Sequence, residues 1–433
     1  YGYRVENRKL LVEEAAATHV RWIFARFLEI GSCTELAREV GTRGIRTPRG
    51  NRIDKKYIYR MLSNRAYIGE AVHKGDSYPG EHDAIIDRET WDRVHAILQE
   101  SPRKRAARTR AETPALLKGL LAIRSHVDVC DERLLAVEAL LHVRERVKPY
   151  LDLQLVAFPQ DGVLRSPGAL DHLKRALDLG VDVVGGIPHF ERSMAEGAES
   201  VRLLCELAAE RGLPVDMHCD ESDDPLSRHI ETLAFHTQRL GLQGRVTGSH
   251  LTSMHSMDNY YVSKLIPLIR EAGVQVVANP LINITLQGRH DSYPRRRGMT
   301  RVPELLAAGV NVAFGHDCVM DPWYALGSGD MLEVAAMGLH VAQMTGVDAM
   351  RACFDAVTVN AARVLGLSGY GLEVGCDASF VLLQARSPAE AIRLRAARLL
   401  VVRRGRVLAR TPPATAALQL PGRPATVDWT HAR

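Results

Sequence analysis

A His, an Asp and a Glu fall within four positions in "MHCDE" (217–221), directly after the apolar start of "PVDM". His218 and Glu221 have company elsewhere: "GSHLTSMH" offers His250, "FGHD" offers Asp317, "VAFPQDG" offers Gln160, "IPHFE" offers His189 and "ANP" offers Asn279. Each stands at the polar end of a short apolar run. Imidazole and carboxylate together hold a divalent ion, and an ion so held brings the pKa of a bound water down to about 7. A nearby Glu can then carry the proton. A single His at a strand end is most often a satisfied core residue. Four such groups on successive strand ends of one pattern point instead to metal-assisted hydrolysis.

The elements that must position these groups change character near residue 120. From about residue 122, β-rich runs alternate with helical stretches: "SHVDV", "LDLQLVAF", "VDVVGGI", "PVDMH", "RVTGSH", "VQVVANP" and "NVAFGHD" are separated by runs such as "GALDHLKRALDLG" and "GAESVRLLCELAAERG". That alternation predicts βα units and a parallel sheet. A closed barrel of this kind has eight strands and an active site at their C-terminal ends. Seven runs are present, so one strand is expected to be missing. Beyond the barrel, "CDASFVLLQA" and "RLLVVRRGRVLART" read as strands of a small sheet, with a turn at Arg404-Gly405. The predicted class is α/β: a (β/α) barrel over 122–365 without its first strand, and a remnant of a small β-sandwich over 366–433.

Residues 1–100 read as a small helical domain. "LLVEEAAATHVRWIFARFLEI" (10–30) sets Val12, Ala16, Val20, Ile23, Phe24 and Phe27 on one helical face. Ser32 is placed to cap a second helix that Gly41 can end, and Asp54 to cap a third whose buried stripe is Tyr57, Ile58, Met61 and Leu62. Arg43, Arg46, Arg49, Arg52, Lys55 and Lys56 crowd the turn between those helices and are candidate DNA-phosphate contacts. A basic linker, 101–121, follows. Its "SPRKRAARTR" carries five Lys/Arg and no acid, which suits either a nucleic-acid contact or a plain solvated linker.

At 433 residues the chain is long enough for two domains. No apolar run approaches the roughly 18–20 residues of a membrane helix, and no signal peptide opens the chain. It begins with Tyr, so it is expected to be a fragment of a longer reading frame. Seven scattered cysteines without a C-x-x-C pair argue against a disulfide framework or zinc ribbon and suit a reducing cytoplasm.

Residues 122–433 resemble bacterial cytosine deaminase of the amidohydrolase superfamily. The stretches that carry the likeness are "HVDV", "LDLQLVAFPQDG", "VDVVGGIPHFE", "DMHCDE", "VTGSHLTSMHS", "VANPLINITLQGRHDSYPRRRGMTRV" and "FGHDCVMDPWYALGSGDML". The resemblance implies His218 and Asp317 as ligands of a divalent metal, iron or zinc. It implies Asp317 also as general base, Glu221 as the acid that protonates the ring, and His250 as the group that orients the water. It further implies Gln160 as the amide that reads the pyrimidine edge, and Trp323 as an aromatic near the base pocket. The implied substrate is cytosine or a related pyrimidine or amidine, and a homo-oligomer is compatible with it. Two departures stand out. Cys318 replaces an acid after Asp317, which should loosen substrate choice. None of the seventeen histidines forms the H-x-H that supplies two ligands from the family's first strand.

Residues 1–121 resemble the "recombinase" domain of large serine recombinases, through "YGYRV", "VRWIFARFLEIGSCTELAREVGTRGIRTPRG", "YIYRMLSNRAYIGEAV", "HDAIIDRETWDRVHAIL" and "LLKGLL". This implies DNA contact through residues 1–110. The catalytic Ser domain and the Cys-rich ribbon of that family are absent. Three readings therefore stand: an impaired cytosine deaminase, a DNA-binding recombinase remnant, or a gene fusion without function.

Overall fold

The computed structural model describes residues 1–6, 9–48, 50–73, 76–99, 116–321 and 323–428. Arg49 and the basic run 101–110 lie outside the described residues. The chain divides into two compact units, 1–110 and 111–433.

In the first unit, β1 (Tyr3–Glu6) pairs antiparallel with β2 (Lys9–Val12). Helix α1 spans Glu14–Ile30, so the predicted helix from residue 10 starts late. Its first residues are taken by β2, whose side chains alternate between exposed and half-buried, the period of a strand. Ala17, Val20, Ile23, Phe24 and Phe27 form the buried stripe, and Gly31 (φ 63°) ends the helix in the left-handed turn that glycine tolerates. Val12 and Ala16 are only half-buried. Helix α2 (Cys33–Thr42) is capped by Ser32, whose hydroxyl accepts the Glu35 N–H. It runs through Gly41, and Gly44 (φ 70°) makes the turn instead. Helix α3 (Lys55–Leu62) is capped by Asp54, which accepts the Tyr57 N–H at 2.7 Å, and buries Ile58, Met61 and Leu62, while Tyr57 is half-buried. A short antiparallel pair, β3 (Glu70–His73) and β4 (Asp76–Pro79), precedes α4 (Arg88–Gln99), which adds Trp91 and Val94 to this core.

In the second unit seven parallel strands lie side by side in chain order: β5 (Ala122–Asp128), β6 (Asp152–Phe158), β7 (Val183–Gly186), β8 (Val215–Cys219), β9 (Val246–His250), β10 (Gln275–Ala278) and β11 (Val312–Phe314). Covering helices include α5 (Leu135–Val147), α6 (Ala169–Asp178), α7 (Met194–Arg211), α8 (His229–Arg239), α9 (Asn259–Glu271), α10 (Pro280–Leu286), α11 (Val302–Ala307), α12 (Met331–Val341), α13 (Val347–Ala356) and α14 (Val359–Val364). β7 (Val-Val-Gly-Gly) and β9 are buried along their lengths, as strands covered on both faces are, and β9 buries the polar side chains of Thr247, Ser249 and His250. The sheet is strongly curled. The rings of His126 on β5 and His218 on β8 are 4.5 Å apart, whereas three steps across a flat sheet would separate those strands by about 14 Å.

Among the described residues no strand pairs with the outer edge of β5 or β11. Helix α14 spans that opening at the other end of the strands. Asn360 Nδ2 donates to Val312 O on β11 (2.9 Å), Arg124 Nη2 on β5 donates to Val364 O (2.9 Å), and Gln154 Nε2 on β6 donates to Leu365 O (2.7 Å). The two edges are thus tied to one short helix in place of a strand between them.

The chain ends in a small antiparallel sheet of β12 (Phe380–Leu383), β13 (Arg398–Arg403) and β14 (Arg406–Arg410). Its hairpin turns on Arg404 (φ 47°) and Gly405 (φ 76°), the paired positive φ of a two-residue turn. Between β12 and β13 lies α15 (Pro388–Leu394), and β15 (Thr415–Ala417) pairs with β16 (Thr426–Asp428) beyond. Among the described residues no helix is long and apolar enough to cross a membrane.

Candidate active site

The polar residues named from the sequence collect at the C-terminal ends of the parallel strands. His218 is the fourth residue of β8, His250 the last of β9, and Asp317 follows β11 by three residues. One ligand atom from each of His218, His250 and Asp317 lies within 4.8 Å of the others. Burial among other histidines, His126, His250 and His189, holds the His218 imidazole well below its usual pKa, so it is neutral with lone pairs to offer. Its Nδ1 has no hydrogen-bond partner. Asp317 keeps solvent access, although protein atoms crowd its carboxyl. Burial and the nearby Glu221 push its carboxyl up, against the pull of His250. The neutral His218 imidazole with its bare nitrogen and the Asp317 carboxylate are donors that suit a divalent metal, and the His250 ring stands beside them.

Glu221 reaches this cluster through a sharp turn. Asp220 takes φ 51°, an unusual conformation for a residue with a side chain. Its carboxylate is buried at the start of α8, where it accepts from Ser227 Oγ (2.7 Å), His229 Nδ1 (2.8 Å) and the His229 and Ile230 N–H groups (3.0 and 2.8 Å). The next residue, Glu221, comes to lie 3.1 Å from His250 Nδ1. Burial lowers the His250 pKa, but Glu221 outweighs it and the ring is pushed up to about 9. Glu221 is held correspondingly below its normal value despite its own burial. The pair therefore stores one proton beside the cluster. The side-chain amides of Asn283 and Asn279 lie against the same ring nitrogen, at 2.9 and 3.3 Å.

The other named residues are placed as follows. Gln160 is half-buried two residues beyond β6. His189 is half-buried after β7, its Nδ1 unpartnered and its pKa lowered to about 4, chiefly by burial. Cys318 is buried beside Asp317, its thiol pushed up by burial and by the Asp317 and Asp321 carboxylates. Trp323 is 56% exposed on the following loop, where its N–H donates to Asp321 Oδ1. Sequence reasoning passed over Asp220, Asn283, Asp216 and His126. Asp216 on β8 is buried between Arg124 (2.9 Å), Ser249 Oγ (2.9 Å) and His126 (3.7 Å). Burial drives its carboxyl up, but the His126 and Arg124 contacts prevail and hold it well below the usual range. In the first unit, Arg43 stacks its guanidinium 4.3 Å from the Trp22 ring, Arg46 and Arg52 face each other across an isolated bridge, and Lys55 and Lys56 are exposed in the first turn of α3.

Comparison with known proteins bears on this arrangement. The model of the "Amidohydrolase family" matches residues 81–409. The chain belongs to the amidohydrolase family. A second family model, "Recombinase", matches residues 14–101. The amidohydrolase unit is similar to the crystal structure of 5-methylcytosine deaminase from Klebsiella pneumoniae liganded with 5-fluorocytosine: 41% identity, 77% of this chain, 81% of that one, TM-score 0.71. N-isopropylammelide isopropyl amidohydrolase of Pseudomonas sp. strain ADP is 31% identical, over 78% of this chain and 81% of its own length. Pterin deaminase of Rhizobium rhizogenes strain K84 is 31% identical over 83% and 79% respectively. The fold is thus the α/β amidohydrolase fold with a seven-stranded curled sheet, joined to a recombinase-type region.

Proposed function

We propose that this amidohydrolase acts on a cytosine-type cyclic amidine, taking up water and releasing ammonia, and that it does so weakly. The observation that carries the reading is the cluster of His218, His250 and Asp317, with Glu221 3.1 Å from His250, at the strand ends. The likeness to a 5-methylcytosine deaminase supports the pyrimidine class. His218 and Asp317 would hold iron or zinc, which supplies a water that ionises near neutral pH. The remaining work falls to the chain. Asp317 takes the water's proton, and Glu221 passes protons to the ring nitrogen and the departing amine. His250 orients the water, and Gln160 reads the pyrimidine edge. Cys318, a buried thiol where the related pattern has an acid, leaves the exocyclic amine less tightly specified, so 5-substituted cytosines should be accepted beside cytosine.

Turnover is expected to be weak because the H-x-H ligands are missing from the sequence. Losing a mere supporting group costs about 10–100-fold, so two lost ligands should put the rate at least a hundredfold below the roughly 10 per second typical of enzymes. Purified protein with added iron or zinc, cytosine or 5-methylcytosine, and an ammonia readout tests this. Ordinary turnover overturns the impairment. Residual turnover that survives His218→Ala overturns the site.

A second reading concerns residues 1–110. The exposed group of Arg43, Arg46, Arg52, Lys55 and Lys56 supports binding to duplex DNA through phosphates. Gel-shift titration across a salt series should give a steep slope, and the double variant K55A/K56A should flatten it by about 1.8, or 0.9 per lost phosphate contact. No shift at about 50 mM salt ends that reading.

A further inference from the structure

We propose that a groove formed by the loops after β8, β9 and α10 binds a phosphate-type oxyanion. The inference goes beyond the reaction above and depends neither on the metal cluster nor on the amidine ring.

The groove has a volume of about 770 Å3, within the roughly 300–1,000 Å3 of small-ligand sites. Asp223 and Pro225 line it from the loop after β8, His255 and Ser256 from the loop after β9, and residues of the 290–296 segment from the loop after α10. Along the chain it adjoins the candidate active site, since Asp223 is two residues from Glu221 and Ser256 six from His250. Arg296 builds its frame. Arg296 Nη1 donates to Asp223 O (2.9 Å) and Ser256 Oγ (2.7 Å), while Nε and Nη2 donate to the two oxygens of Asp291 (2.7 and 2.6 Å). Asp291 also accepts the Arg296 N–H (3.0 Å), and Asp223 Oδ2 accepts the Gly288 N–H (2.8 Å). One guanidinium thus fastens three loops, and both acids that line the groove are already engaged.

Charge decides the class of ligand. Between Gly288 and Val302 the chain carries five arginines and a single acid, Asp291. Asp291 is matched by Arg296, which holds its carboxyl down at about 2. Arg289 and Arg297 donate to neutral carbonyls, Thr285 O and Val341 O. Arg301 donates to Met254 O and Met257 O, with Glu304 at 3.9 Å. Carbonyls satisfy the N–H groups but leave the positive charge uncancelled. Arg295 is exposed, and among the described residues it makes no hydrogen bond or ion pair. The His255 ring registers the surplus. Burial first, then the Arg296, Arg301 and Arg297 charges, hold its pKa below the ordinary value, and Asp223 alone pulls the other way. An anion in the groove meets the exposed Arg295 and His290. It also meets the Ser256 hydroxyl, which accepts from Arg296 and keeps its own hydrogen to donate. A guanidinium with further N–H and O–H donors around it suits phosphate, which offers several acceptor oxygens and up to two charges.

The test uses the full chain and calorimetric titration with inorganic phosphate, cytidine 5′-monophosphate and cytidine. The parent should bind phosphate. Arg295→Ala combined with His290→Ala should weaken that binding at least about tenfold, the loss expected for a charge-assisted contact. Both side chains are exposed, so the double variant should melt as the parent does. Arg410→Ala removes a like charge from exposed β14 and should leave phosphate binding unchanged. The nucleotide tells free phosphate from a phosphorylated pyrimidine. Binding of cytidine 5′-monophosphate at least about tenfold tighter than both phosphate and cytidine means that ring and anion are held at once. Equal affinity for the nucleotide and for phosphate means a site for the free anion. A parent that binds neither, or an R295A/H290A protein that binds both as tightly as the parent, overturns the groove as an anion site. Phosphate held here by a chain that turns over no cytosine keeps this inference and removes only the deaminase reading.

Discussion

Asp330→Ala should destabilise the amidohydrolase unit by about 3–5 kcal/mol, the usual cost of removing one partner from a buried ion pair. Asp330 is 5% exposed and Arg398 is 8% exposed. The carboxylate caps α12 by accepting the Leu332 N–H at 2.9 Å. Its two oxygens also take both ends of the Arg398 guanidinium from β13, one at 3.1 Å, and the Lys118 ammonium at 3.1 Å. One group thereby fastens the C-terminal sheet, the segment before β5 and a barrel helix. Alanine leaves Arg398 buried with only carbonyl partners, Lys118 O and Ala396 O. Urea unfolding followed by circular dichroism measures the loss. Replacing Asp330 and Arg398 together by apolar residues should cost less than D330A alone, because no unpaired charge is left behind. Burial pushes the Asp330 carboxyl up, but Arg398 and Lys118 pull it below its ordinary 3.8. Its contribution is therefore complete above that value and is lost as pH falls through the folded-state pKa. Asp330→Asn should remove this part of the acid sensitivity. An unchanged acid limb would contradict the assignment.

Much of this architecture was legible because the sequence repeats one local rule. Each of "PVDMH", "RVTGSH" and "NVAFGHD" ends in a polar residue after a buried run, and a parallel sheet brings all such ends to one rim. Ser32 and Asp54 announce their helices because a short oxygen-bearing side chain satisfies orphan N–H groups within three residues. What escaped depends on distance along the chain. His126 sits in "SHVDV", read as a strand and nothing more. The period-two spacing of Arg124 and His126 was available, but the partner that gives it meaning, Asp216, lies 90 residues on. Asp330 and Arg398 are 68 residues apart. The α14 ties to both sheet edges have no local pattern at all. The start of α1 was misjudged because Leu10, Leu11 and Val12 suit either a helix face or a strand until Tyr3–Glu6 pairs with them. The missing strand was legible as an absence of H-x-H; how the remaining edges are held was not.

Asp220→Ala should cost about 3–5 kcal/mol as well, and unlike D330A it should also weaken metal binding. Two independent losses combine. Removing the cap from α8 costs about 1 kcal/mol. Leaving the buried Ser227 hydroxyl and His229 Nδ1 without their acceptor costs about 1–3 kcal/mol for each. His229 cannot easily swing to another partner, since it is packed so closely against α7 that a Cβ on Gly197 would stand 2.1 Å from its Nε2. Burial raises the Asp220 carboxyl, but His229, the Ile230 N–H and Ser227 outweigh it and keep the group ionised below the usual range. The functional consequence follows from position. Asp220 separates β8, which carries His218, from Glu221, and this grip helps sustain its φ of 51°. With the carboxylate gone the backbone relaxes toward a commoner conformation, Glu221 leaves His250, and the proton they share is no longer held beside Asp317. Zinc affinity measured well below the melting temperature should then fall by about tenfold or more. Asp220→Asn should stand between the two, because its amide oxygen can still accept on one side while its NH2 confronts the Ile230 N–H. A D220A protein that melts like the parent and binds zinc as tightly would mean that the turn is held by its main-chain bonds alone, Ser253 N–H to Asp220 O at 3.0 Å and Leu251 N–H to Cys219 O at 3.0 Å.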